Sequence, residues 1–185
     1  MEAIYLNSAI KQFEYYRALG KKTFEQLTEE QLLWQYNEAS NSIAIIVNHM
    51  WGNMKSRWTD FLIADGEKEW RNRDQEFEDV ISSKEELLQK WEEGWACVFS
   101  ALESVYEGNF NTPIFIRNQE HHIIDAVNRQ MMHYGYHVGQ IVAMGKMIKG
   151  DDWTSLSIPK GGSKAYNQQK FSKGQHGGHF TDDLK

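Results

Sequence analysis

The 185-residue sequence contains one cysteine, Cys97, and two prolines, Pro113 and Pro159. A single cysteine excludes an intramolecular disulfide and fits a reduced compartment. Two prolines leave almost the whole backbone free to be helical. No basic stripe precedes the scattered lysines of the C-terminal stretch, and the formal net charge is −6, which argues against a nucleic-acid footprint. The longest aliphatic run, "IAIIV" at 43–47, is far too short to span a bilayer. The N-terminal "MEAIYLNSAIKQFEYY" lacks a basic start followed by an apolar block, so no secretion signal is expected. These absences predict a soluble cytoplasmic protein with neither nucleic acid nor membrane as partner.

What is present predicts one globular domain: 41% of residues are hydrophobic and 13% aromatic, enough for a sizeable core. Four segments carry helical periodicity. The first covers roughly 2–19, with Leu6, Ile10 and Phe13 along one side and Gly20 as its expected stop. The second runs from about Ser42 to Ile63, after the capping candidates Ser40 and Asn41, with Val47, Met50, Met54, Trp58 and Phe61 as its core stripe. The third follows "SSKEE", where Ser82 with Glu85 or Ser83 with Glu86 can form a capping box. It carries Leu88, Trp91, Trp95 and Leu102, and closes at Gly108. The fourth spans roughly His121–Lys149 and ends at Gly150. Four amphipathic helices of this length predict an all-α four-helix bundle. Cys97, between Trp95 and Val98, reads as a packing residue.

The connections add detail. Thr28 with Gln31 in "LTEEQLLW" predicts a short extra helix with its own cap. Residues 64–82 lack clear periodicity; extended, they reach about 60 Å, against about 33 Å for a 22-residue helix. The second and third long helices can therefore run parallel, joined by a crossover. "NTPIFIRNQ" predicts a short strand or extended arm. The bundle is expected over 1–158, with Trp153, Leu156 and Ile158 pinning the chain before a flexible tail at 159–185. His176 and His179 lie among glycines in that tail and read as solvated.

The chemistry is expected in "MMHYGYHVGQIV", residues 131–142. His133 and His137 are one turn apart on one helix face, so together they can grip a divalent ion at about 2.0–2.1 Å. The same pair can equally be buried, hydrogen-bonded packing groups. The second segment supplies His49, flanked on its own face by Gly52, Asn53 and Ser56, small or polar neighbours that would leave room for water or substrate. A core histidine bonded to a carbonyl is the other reading. His121 and His122, about three turns before His133, are too far away to share an ion with it.

"SNSIAIIVNHMWGN" together with "AVNRQMMHYGYHVGQIVAMGKMI" resembles the DinB-like superfamily of four-helix metalloproteins, which includes bacillithiol S-transferase-like enzymes. The closing "WTSLSIPKGGS" resembles an uncharacterised bacterial branch of it. The resemblance implies a metal triad of His49, His133 and His137 holding nickel, zinc or a similar ion, parallel second and third helices, and a homodimer. Characterised relatives include S-transferases that use the low-molecular-weight thiols bacillithiol or mycothiol, and a maleylpyruvate isomerase. The implied function is a metal-dependent enzyme in which a thiolate attacks a small electrophile. A metal-dependent isomerase or hydrolase, or a non-catalytic stress-related bundle that binds metal or ligand, are the alternatives.

Three neutral imidazoles leave an ion dipositive with at least one position open, as in catalytic sites. Candidate substrate- or cofactor-binding residues are Gln140, three positions after His137, Asn53, one turn after His49, and Arg129, four before His133. Arg129 can steer an anionic cofactor or simply form an exposed salt bridge. No acidic residue falls on the His133 face, which makes thiol transfer a better reading than metal-activated hydrolysis. Tyr134 and Tyr136 are expected to face core or dimer partner.

Overall fold

A computed structural model describes residues 2–78 and 81–183 and is all-α apart from one small hairpin. The long helices are α1 (Glu2–Glu25), α3 (Ile43–Trp58), α4 (Lys84–Glu103) and α5 (Ile123–Lys149), with the short α2 (Glu29–Leu33) after α1. As the sequence suggests, Thr28 and Gln31 form a capping box on α2. Ser83 caps α4 by accepting from Glu86 N–H. The cap of α3 is Ser42, which accepts from Ile45 N–H, and not Ser40 or Asn41; the Ser40 hydroxyl is instead turned back onto Asn37 Oδ1 at 2.8 Å. α5 ends at Gly150 with φ +57°.

Several boundaries differ from the expected ones. α1 continues through Gly20 because this glycine is a contact point: a Cβ there would lie 2.3 Å from Trp91 Cζ2. α3 stops at Trp58, five residues before Ile63, where Thr59 turns extended and Asp60 takes a φ of +51°. α4 ends at Glu103 with Ser104 as its cap. Residues Ser163–Ser172, where no apolar period is readable, form a further helix, α6, with no buried residue. Beyond it, His179 Nε2 meets Ser8 Oγ at 3.0 Å and Lys11 pairs with Asp182 at 2.9 Å, so the chain returns to α1.

Side-chain partners fix the directions of the long helices. Asn48 meets Lys90, Trp51 meets Glu93 and Thr59 meets Cys97, so α3 and α4 run parallel. Tyr5 bonds Asn128 and Phe13 packs on Tyr134, so α1 and α5 are also parallel. Phe13 against Trp95 and Phe24 against Trp91 set α1 antiparallel to α4. His49 beside His133, with Asn53 bonded to Tyr134, shows where α3 faces α5. The crossover that sequence length permits is thus observed.

The core is aromatic where α1, α4 and α5 meet. Phe13, Trp95 and Tyr134 have ring centroids 5.6–5.9 Å apart and are fully buried; each is worth about 1.5–3 kcal/mol of burial. The hairpin pairs β1 (Ile114–Ile116) with β2 (Gln119–His121). Its two-residue turn puts Arg117 and Asn118 at φ +57° and +60°, the twist such hairpins favour. Asp65 secures that conformation by accepting from both backbone N–H groups, at 2.8 and 2.7 Å. The segment 64–78 therefore packs against the hairpin and α3, held by polar contacts that leave no apolar period to read.

Candidate metal centre

His49 is a buried residue of α3, whereas His133 and His137 are half-buried on α5. Nε2 of His133 lies 3.3 Å from Nε2 of His49 and 3.1 Å from Nε2 of His137. One ligand nitrogen from each residue falls within 4.8 Å of the others, a grouping that can hold a metal ion. Two metal–nitrogen bonds of about 2.05 Å at a tetrahedral angle would set their nitrogens about 3.3 Å apart, so the spacing fits a shared cation.

The outer nitrogens decide which way the lone pairs point. His49 Nδ1 is 2.9 Å from Glu76 Oε2. Arg71 donates to the same carboxylate twice, from Nε to Oε1 at 2.6 Å and from Nη2 to Oε2 at 2.9 Å. Burial alone would raise the Glu76 carboxyl, but the hydrogen bonds from His49 and Arg71 and the Arg71 charge hold it below the ordinary carboxylate range. An ionised carboxylate can only accept, so His49 carries its proton on Nδ1. Gln140 donates from Nε2 to the Tyr136 hydroxyl at 3.1 Å, which leaves its Oε1 to accept from His137 Nδ1 at 2.9 Å. Both imidazoles therefore turn an unprotonated Nε2 towards His133.

At most one proton can sit between these three nitrogens without a cation, and none is readily added. Burial, followed by the neighbouring His137 and His49 and the Arg57 and Arg71 charges, pushes the His133 imidazolium down to about 3. His137 is also lowered, chiefly by burial. Converging lone pairs in a partly desolvated site are poorly matched to one another and well matched to a divalent ion, and the outer acceptors supply the ligand orientation metal-bound histidines use.

The fold also shows what fills the space beside His49. Gly52 is small because the Glu76 carboxylate occupies its side: a Cβ at Gly52 would lie 2.4 Å from Glu76 Oε1. That room, expected to serve water or substrate, belongs to a protein side chain. Phe77 stacks on the His49 ring with centroids 4.7 Å apart, and Asn48 donates to Glu76 O at 3.1 Å. Glu76, Phe77 and Arg71 escape a reading of the sequence because they lie 22–28 positions from His49 in the aperiodic crossover. The one local sign is the Gly52 gap one turn after His49.

Of the other candidates, Gln140 meets His137 directly. Asn53 is buried, and its Oδ1 accepts from Tyr134, whose hydroxyl in turn accepts from Trp58 Nε1. Arg129 is exposed and donates to His121 Nε2 at 3.3 Å, with no carboxylate partner among the described residues. Asn53 and Arg129 line a cavity of about 180 Å³ together with His49 and His133. Gln140 and Ile46 also border an open, mainly apolar cleft of about 1330 Å³ walled by Trp34, Tyr36, Met144 and Met147, which none of the three histidines lines.

No helix among the described residues is long and apolar enough to cross a membrane. The family described as a protein of unknown function (DUF1572) matches residues 1–162, which include every residue of the centre. No curated protein and no solved structure matches the chain.

Proposed function

The chain belongs to the DUF1572 family, and on that premise we propose that it is a metal-dependent enzyme whose ion is held by His49, His133 and His137. The observation that supports this most is the tautomer arrangement: Glu76 and Gln140 each tie up an outer imidazole nitrogen and leave the inner ones free to ligate. Nickel or zinc suits an imidazole donor set. Such an ion, with a position left open, supplies acidity to a bound water or thiol.

Thiol transfer to a small electrophile is the favoured reaction. Hydrolysis would need a nearby base, and Glu76, the carboxylate that meets the centre among the described residues, has both oxygens engaged by Arg71 and His49. In the transfer, the thiol sulfur bonds to the electrophilic carbon and the leaving group departs with the electron pair of its bond; the thiol proton passes to solvent. Glu76 and Gln140 orient His49 and His137, and the apolar cleft beside Gln140 can receive an uncharged electrophile. The DinB-like resemblance of the two histidine segments supports a low-molecular-weight thiol as co-substrate and a cytoplasmic homodimer as the working form.

Metal content should be measured on protein purified without added metal or a histidine tag. The loaded protein is then assayed with monochlorobimane and a panel of thiols, chloride being the leaving group. Thiol-dependent turnover that disappears in His133→Ala is the expected result. Tight metal binding with no turnover for any thiol would instead make the chain a binding module.

A further inference from the structure

The cavity of about 180 Å³ that adjoins His49 and His133 is lined by Arg57, Arg71, Arg73, Arg117 and Arg129. Five arginines thus line one small cavity in a chain whose formal charge is −6. Three carboxylates lie beside them, and two of these pair with guanidinium groups. Glu67 meets Arg57 at 3.1 Å, Arg117 at 3.3 Å and Arg71 at 3.4 Å; Glu76 is shared between Arg71 and His49; Asp65 accepts the backbone N–H groups of the hairpin turn. Arg73 and Arg129 have no carboxylate partner among the described residues. The residues that line the cavity thus include five arginines and no carboxylate.

Burial sharpens the point. Arg57 is 7% exposed and its Nε has no hydrogen-bond partner. Arg71 keeps only 2% of its side chain exposed. Burying guanidinium groups is costly unless they are matched. Solvated lysines elsewhere on the surface carry no such cost, so the grouping is not a by-product of making the protein soluble. Four of the five arginines come from α3, the crossover and the hairpin turn, and Arg129 comes from α5, so the cavity exists only in the folded protein. Planar guanidinium forks bind oxyanions bidentately.

We propose that this cavity binds an oxyanion group, carboxylate or phosphate, of the small molecule that reaches the histidine centre. The assignment of that molecule as a reactant rests on the metal-enzyme reading, but the anion pocket itself does not need the metal. Its place beside His49 and His133 would anchor one end of an acidic ligand while the other end extends to the open position.

Titration calorimetry on chelator-treated full-length protein, at fixed ionic strength, tests the pocket with two probes, succinate and inorganic phosphate. Saturable binding is expected at roughly millimolar concentration or tighter. Whichever probe binds more tightly identifies the oxyanion. The variant Arg73→Gln/Arg129→Gln, altering two exposed residues, is expected to bind about tenfold more weakly with an unchanged melting curve. A control with the same charge change at exposed sites, Lys21→Gln/Lys146→Gln, is expected to match the wild type. Absence of saturable binding by both probes, or equal weakening in variant and control, would overturn the pocket. A separate metal titration keeps the two ideas apart: metal uptake without anion binding sinks only the pocket, and anion binding without metal uptake sinks only the metal centre.

Discussion

At the scale of single residues, the centre is governed by where three imidazoles can keep protons. Glu76 and Gln140 hold His49 and His137 as Nδ1–H tautomers, and the resulting lone pairs crowd on His133. Without metal this arrangement has a pH signature. In the unfolded chain His133 protonates near 6.5; folded, burial and the neighbouring imidazoles and arginines delay protonation to about 3. Between those values the unfolded state holds the extra proton, so the contribution to stability is intact above pH 6.5 and lost as pH falls towards 3. His137 shifts in the same direction. Metal-free wild type should therefore show a urea midpoint that drops steadily from pH 7 to pH 4, and His133→Ala should show a shallower drop. Parallel profiles for the two proteins would mean that His133 is solvated and not held as the geometry requires.

At the scale of elements, what can be read locally and what cannot divide along a physical line. The periods of α1, α3, α4 and α5, the caps at Thr28 and Ser83 and the stop at Gly150 follow from short-range rules, and they are visible in the sequence, whereas the α3 cap falls on Ser42 and not on the expected Ser40 or Asn41. The crossover is not, because its shape is set by Asp65 reaching the hairpin, by Gly66 N–H donating to Phe115 O at 2.8 Å and by Glu76 reaching His49. Gly20 shows the same limit on a smaller scale. As a chain signal it reads as a helix end; in the fold it is the place where α1 lets the Trp91 ring of α4 approach. Replacing it by alanine pits two effects against each other. Helix propensity favours alanine by about 1 kcal/mol. Overpacking a closed core costs about 1–3 kcal/mol, and Trp91, 2% exposed and packed on Phe24 and Trp95, has nowhere to swing. Steric overlap should win, so Gly20→Ala is expected to lower unfolding free energy by about 1 kcal/mol in urea titration. A more stable variant would show that α1 can slide away from α4.

At the scale of the whole molecule, topology and core together decide what an ion bound at the three histidines would do. Two parallel helix pairs set α3 against α5, which brings His49 to the level of a histidine pair 84 and 88 positions later in the chain. The His133–His137 spacing is legible on one helix, but the third histidine joins them only through this topology, and the resemblance in the two segments points to it where composition cannot. The aromatic cluster of Phe13, Trp95 and Tyr134 lies behind the site, and its burial owes nothing to an ion. Zinc-dependent miniature domains unfold on chelation because they lack such a core; a chain of this size with tryptophans fully buried should not. The chelated protein is therefore expected to keep its helical circular-dichroism spectrum and a cooperative melt. Ion present at about a hundredfold excess over its dissociation constant, binding only the native state, would add about 2.7 kcal/mol. For a domain of this length that is a rise in melting temperature of about 5–10 °C, reversed by chelator. The rise should vanish in His137→Ala, while the chelated baselines of variant and wild type stay close, because His137 is half-buried on the rim and not within the core. Collapse of the helical signal on chelation would assign the ion a structural role, and the open coordination position on which the enzyme reading depends would lose its support.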